Sequence, residues 1–290
     1  MTKKEQAYEV PPPSIYFGGC AFGSAFYVGV FKGMRERWGP DFHKKMLISG
    51  GSAGTIFAIC IALGYSDKYM DEFYSNVAVE TLKRNPIYYG SYYLEQELRK
   101  MLQDPLAYKK LEGRCCFGTT AFFSKHRWHV SWESNEDLIA CVQGSYHIPL
   151  YCKKAQGIKG VAVLDGAYGF SGENLPHGDA TLYVGIDPHA EITRTLTNPE
   201  MFYPCVGEEY DAMVKSGYDA MMNWDGKMNK KVENRIPNYP ALYVLWYLKV
   251  LESLLYGGLY ICSNTLFLLA SLLAVILFVI SAMIQSKVVL

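Results

Sequence analysis

The stretch MLISGGSAGTIFAIC, residues 46–60, decides how the rest of the chain is read. A short apolar run ends in Gly50, Gly51, Ser52, Ala53 and Gly54, and an apolar, helix-compatible segment follows at once. Small residues on both sides of Ser52 allow a strand to turn sharply into a helix, with the serine hydroxyl exposed at the bend. The unpaired N–H groups at the start of such a helix lie beside any negative charge formed there. The spacing is G-x-S-x-G, the nucleophile elbow. A glycine-rich turn that merely feeds a buried helix can show the same residues, so the rest of the chain must decide.

Upstream, residues 14–17 are β-prone and run into Gly18, Gly19, Cys20, Ala21, Phe22 and Gly23. Phe26, Val30 and Met34 then recur every fourth residue, which predicts a helix over 26–38. This is a second strand, glycine turn and helix unit. Backbone N–H groups in such a turn form an anion-binding nest, although a plain βα turn has the same composition. Two units in succession predict an α/β architecture whose parallel strands bring both turns to one edge of the sheet. Downstream, the apolar run 161–164 ends at Asp165-Gly166-Ala167. An aspartate at the C-terminal end of a parallel strand lands on that same edge. There it can accept the Ser52 proton and later return it; an isolated Asp-Gly also reads as a turn. Residues 182–186 form a further strand candidate, and Asp187-Pro188 after it reads best as turn chemistry.

Residues 65–104 have a helical pattern broken at Asn85-Pro86 and would cover the sheet. Residues 115–129 look like strand and turn, and 136–143 like a short helix. His126 and His129 have no acidic residue at ligand spacing, so no metal is expected. His147, two residues before Pro149, reads as loop or strand start. Residues 208–224 predict a helix whose stripe of Tyr210, Met213, Tyr218, Met221 and Met222 is core material.

At 290 residues and 32.7 kDa the chain can bury a sizeable core. A formal net charge of +0 with short, scattered basic clusters gives no global field for nucleic acid. The eight cysteines include no C-x-x-C and do not make a disulfide framework at this length, so a reducing compartment is expected. No apolar core of a secretory signal precedes Pro11-Pro12-Pro13. Residues 266–284, LFLLASLLAVILFVISAMI, are nineteen uncharged positions. As a helix they would span about 28 Å, close to a bilayer core of about 30 Å. A transmembrane helix is therefore expected, with the bulk of the chain cytosolic; a fully buried soluble helix is the other reading. Residues 241–262, rich in Leu and Tyr, are a candidate interfacial helix before it.

In order along the chain, four blocks resemble the patatin-like phospholipase family, and especially its animal, adiponutrin-like branch. They are FGGCAFGSAFYVGV (17–30), GGSAG (50–54), WESNEDLIACVQGSYHIPLY (132–151) and Asp165-Gly166-Ala167; VKSGYDAM (214–221) is a weaker fifth. The resemblance implies a three-layer fold with a central, mostly parallel sheet and flanking helices, here with a C-terminal transmembrane helix added. The implied division is a leader over 1–13, a catalytic domain over 14–225, a linker with the interfacial helix over 226–262, and an anchor over 263–290. It implies a dyad without histidine: Ser52 as nucleophile and Asp165 as its base. Gly18, Gly19, Cys20 and Ala21 would frame the oxyanion hole, and Gly50, Gly51, Ala53 and Gly54 the elbow. The implied activity is hydrolysis of acyl esters of phospholipids or neutral glycerolipids through an acyl-serine. It needs neither metal nor organic cofactor. The partners are a lipid membrane and the acyl-lipid substrate, not nucleic acid, and the sequence identifies no regulatory protein. A transacylase would share the same dyad, and a catalytically impaired lipid-binding protein would keep only the fold. A serine–histidine–aspartate site would have to recruit His177 or His189. The branch usually has glycine where this chain has Ala21 and Ser24. If Ala21 takes a positive φ, its Cβ costs about 1 kcal/mol or more.

Overall fold

β1 (Ser14–Phe17) and β2 (Leu47–Gly51) lie side by side and parallel, with Phe17 in register with Gly50. The two glycine-rich turns that follow them therefore leave the sheet at the same edge. The computed structural model describes residues 8–121, 126–148, 151–152, 156–167, 178–186, 188 and 190–228. These fall within one unit, Met1–Ile236; the second unit, Pro237–Leu290, lies outside the described residues.

Among the described residues the sheet has eight strands. Besides β1 and β2 these are β3 (Cys115–Ala121), β4 (His126–His129), β5 (Gln156–Ile158), β6 (Val161–Leu164), β7 (Thr181–Gly185) and β8 (Ile192–Thr193). The pairings β3–β2, β2–β1, β1–β7 and β7–β8 are parallel. Those of β3 with β4, β3 with β6 and β5 with β6 are antiparallel. The sheet is mixed, which corrects the expected mostly parallel one. The correction matters at Asp165, which follows an antiparallel strand rather than a parallel one. β2 pairs with β3 as far as Gly51 opposite Gly118, and β4 takes the other side of β3 from Phe117 to Thr120. β6 pairs with Thr120 and Ala121 on the side that β2 has vacated. β2 and β6 thus approach each other end to end along one side of β3.

Eight helices occur in the described residues: α1 (Ala25–Trp38), α2 (Gly54–Ala62), α3 (Asp67–Leu82), α4 (Pro86–Met101), α5 (Ala107–Leu111), α6 (Asn135–Ser145), α7 (Asn198–Phe202) and α8 (Glu208–Asn223). Alternate strand residues point to opposite faces. Ile15 and Phe17 join the main core with α1, α2 and α6, whereas Tyr16 packs with Tyr183 and Ala190 in a smaller cluster. The α1 stripe of Phe26, Val30 and Met34 is fully buried. On α8 the buried stripe is Met213, Gly217 and Met221. Tyr218 instead turns outward to donate to Glu36 Oε2 at 2.7 Å, and Met222 is exposed. Gly217 is there because α8 rides on the α1 backbone: a Cβ on it would lie 1.9 Å from the Phe26 carbonyl oxygen. The break at Asn85 separates α3 from α4, with Pro86 opening α4, where its missing N–H costs nothing.

No helix among the described residues is long and apolar enough to cross a membrane. The expected transmembrane helix and tail-anchored topology are therefore withdrawn from the fold; the segment 266–284 itself lies outside the described residues, as does the candidate interfacial helix.

Candidate active site

Ser52 opens the two-residue hinge, Ser52–Ala53, between β2 and α2. Its φ is +54°, a left-handed value that costs a non-glycine residue about 1–2 kcal/mol. The glycines of the elbow make the bend sterically feasible. A Cβ on Gly50 would sit 2.5 Å from the Gly54 carbonyl group, and one on Gly54 would sit 2.0 Å from the Phe17 carbonyl oxygen. Strand and helix are thus packed backbone to backbone. The bend is held by hydrogen bonds: Thr55 donates its N–H (3.0 Å) and its hydroxyl (2.7 Å) to the Ser52 carbonyl.

The Ser52 hydroxyl donates to Asp165 Oδ2 at 2.5 Å, across 113 residues of sequence. The other carboxylate oxygen, Oδ1, accepts the Ala167 N–H at 2.8 Å. Both side chains are buried, Ser52 at 4% and Asp165 at 2% exposure. Burial pushes the Asp165 carboxyl up to about 6 against the lowering effect of its bonds from Ser52 and Ala167. It is therefore ionised at neutral pH yet basic enough to take a proton. The Asp165 backbone is fixed on both sides, its N–H donating to the His147 carbonyl at 2.9 Å and its carbonyl accepting the Thr120 hydroxyl at 2.9 Å.

The turn after β1 lies against the same hydroxyl. A Cβ on Gly19 would lie 3.0 Å from Ser52 Cβ and 3.6 Å from its Oγ, so only glycine leaves room for a reacting group there. Gly18, grouped by sequence with this turn, instead continues the ladder: its N–H donates to the Val184 carbonyl at 2.8 Å. The Tyr27 hydroxyl holds the Gly18 carbonyl at 2.9 Å. The N–H groups of Gly19, Cys20 and Ala21 donate to no backbone acceptor among the described residues. Ala21 does take a positive φ, +47°, and opens a 3₁₀ turn over Ala21–Ser24. Ser24 has an ordinary helical φ of −61°, so its position makes no demand for glycine.

An apolar cavity opens at Ser52 and Ala21 and extends among α2, α3 and α4. Its walls include Ile56, Phe57, Phe73, Val77, Leu94 and Tyr146. The helical cover read from residues 65–104 thus supplies much of the wall.

Ser145 escaped the sequence reading. It is fully buried at the last residue of α6; its hydroxyl donates to the Gly118 carbonyl at 2.5 Å and accepts the Ser52 N–H at 2.9 Å. Nothing in a serine near a helix end marks such a role. His129 lies 2.9 Å from the Thr119 hydroxyl, and burial pushes His126 down to about 4. Among the described residues no three His, Cys, Asp or Glu side chains gather where a metal ion would be held. His177, His189 and Asp187 lie outside the described residues.

The sequence model of the patatin-like phospholipase family matches residues 15–180 of this chain. No curated protein sequence matches it. Among solved structures, that of VipD from Legionella pneumophila aligns at 12% identity with a TM-score of 0.45, covering 86% of this chain and 77% of the other.

Proposed function

The chain belongs to the patatin-like phospholipase family, a family of lipid hydrolases, and from that premise we propose that it cleaves carboxylic esters of phospholipids or neutral glycerolipids through Ser52 and Asp165. One observation supports this most: the buried 2.5 Å bond from the Ser52 hydroxyl to a carboxylate whose burial raises its basicity. In the first step Asp165 takes the hydroxyl proton as Ser52 Oγ attacks the ester carbonyl. The negative charge moves to the carbonyl oxygen, where N–H groups of the Gly19–Ala21 turn would receive it; one such donor is worth about 3 kcal/mol at the transition state. The tetrahedral species collapses to an acyl-serine as the proton passes from Asp165 to the leaving alcohol. Water, deprotonated by Asp165, then releases the acid and restores Ser52. The acyl chain occupies the apolar cavity at Ser52.

The closer kinship we infer is with the adiponutrin-like branch, on the cysteine-containing turn Gly18–Ala21 and the quoted block over 132–151. The catalytic domain we infer runs over 14–225, which takes in every strand and helix above. A second reading has one observation in its favour. The strained Ala21, at the mouth of the oxyanion turn, fits an enzyme of reduced activity. Hydrolysis of p-nitrophenyl butyrate by wild type, lost in Ser52→Ala and Asp165→Asn, tests the proposal. Hydrolysis that persists in both variants overturns the dyad.

A further inference from the structure

Ser52 and Asp165 come from different strands, and their contact depends on how two backbone ends are held in register. Ser145 touches both. Its hydroxyl accepts the Ser52 N–H at 2.9 Å while donating to the Gly118 carbonyl of β3 at 2.5 Å. Its own carbonyl accepts the Gly166 N–H at 2.7 Å, one residue beyond Asp165. The residue is fully buried, so no water substitutes for these partners. The space is also tight: a Cβ on Gly166 would lie 2.2 Å from the Gly118 carbonyl oxygen and 3.1 Å from Ser145 Oγ.

We propose that Ser145 is a positioning residue that locks the left-handed Ser52 backbone to β3 and to the Asp165–Gly166 turn, and so sets the nucleophile–base distance. The proposal rests on the functional reading above. The Thr55 bonds hold the carbonyl side of the strained Ser52 backbone, and the Ser145 hydroxyl holds its N–H side. With the Ser52 N–H engaged by Ser145, that amide is not a free donor for substrate, and the oxyanion must be met by other N–H groups, those of the Gly19–Ala21 turn among them. A displacement of about 1 Å between reacting groups can cost about a hundredfold in rate without changing substrate affinity.

The test compares full-length wild type, Ser145→Ala, Ser145→Thr and Ser134→Ala. Ser134 caps the other end of α6 by accepting the Asp137 N–H, far from the site chemistry, and its variant reports general weakening of the helix. With p-nitrophenyl butyrate, Ser145→Ala should lower kcat by about 10- to 100-fold and leave KM within about twofold. Its acid limb in the pH–rate profile should move upward, because a displaced Ser52 no longer stabilises the Asp165 carboxylate. Ser145→Thr, which keeps the hydroxyl, should recover part of kcat, and Ser134→Ala should change neither kcat nor the limb. A Ser145→Ala enzyme with wild-type kcat and limb, or a Ser134→Ala enzyme with the same losses, overturns the proposal. Should wild type hydrolyse no ester, the functional reading fails, and amide hydrogen exchange at Ser52 decides the positioning claim separately. Exchange at least tenfold faster in Ser145→Ala supports it, and equal exchange contradicts it.

Discussion

Ser52 and Asp165 meet head-on: β2 delivers the serine from one direction and β6 delivers the aspartate from the other, along the same side of β3. Their 2.5 Å contact is made where the two strands end, between the levels of Gly118 and Thr120. Asp165 is 2% exposed there, and its backbone N–H and carbonyl are taken by His147 and Thr120. The same setting raises its pKa and links activity to stability.

The first consequence is a pH profile. With Asp165 pushed up to about 6 by burial, kcat/KM should rise through an acid limb near pH 6 and level off above it. Initial rates on p-nitrophenyl butyrate between pH 4.5 and 8, in steps of about half a unit, measure it. A limb near 4 would mean that the carboxylate is solvated and not the buried base described.

The second concerns stability. Folded Asp165 holds its proton up to about pH 6, whereas the unfolded chain releases it near 3.8, the ordinary aspartate value. The group therefore stabilises the fold relatively at low pH, and that contribution is lost as pH rises through 6. The difference corresponds to at most about 3 kcal/mol at neutral pH. Asp165→Asn, free of this titration, should gain on wild type between pH 4 and 6.5 and unfold at higher urea concentration at pH 7. Parallel stability curves for the two proteins would refute the assignment.

Much of this was legible in the sequence. The three-residue stripe of α1 at four-residue spacing, the break at Asn85, the elbow glycines and the glycine turns are local features, because spacing and small size are written in consecutive residues. The direction of β6 was not legible. An apolar run of four residues ending in Asp-Gly reads the same whether its neighbour runs with it or against it, and only the pairing with Thr120 and Ala121 decides. Ser145 was hidden for a similar reason: its partners, Ser52 and Gly118, are distant in the chain. The α8 stripe was misread at Tyr218 because an amphipathic tyrosine satisfies a helical apolar pattern while its hydroxyl goes to Glu36. The apolar run at 266–284 fitted a membrane span by its length and lack of charge; it lies outside the described residues, and no helix among those is long and apolar enough to cross a membrane.

Ala21 carries the third prediction. Its φ of +47° costs an alanine about 1–2 kcal/mol, and glycine removes that cost while losing about 0.5–1 kcal/mol to chain entropy. Ala21→Gly should therefore be neutral to about 1.5 kcal/mol stabilising. Its kcat should rise by several-fold as the turn's N–H groups settle around the oxyanion. An unchanged or lower kcat would show that the strain at Ala21 does not limit the reaction.

The fourth addresses the cavity. Leu94 on α4 lines it together with Ile56 and Val77. Leu94→Trp should shorten the space for the acyl chain, lowering kcat/KM for palmitoyl esters by at least about tenfold while the butyryl ester stays within about threefold. Equal losses on both substrates would place the acyl chain elsewhere.

The most direct test of the central claim, that Ser52 is the nucleophile activated by Asp165, is covalent labelling of the full chain with a fluorophosphonate, read by intact mass and peptide mapping. The expected result is a single adduct on the peptide containing Ser52, absent in Ser52→Ala and formed at least about tenfold more slowly in Asp165→Asn. An adduct that persists in Ser52→Ala, or labelling of Asp165→Asn at the wild-type rate, would contradict it.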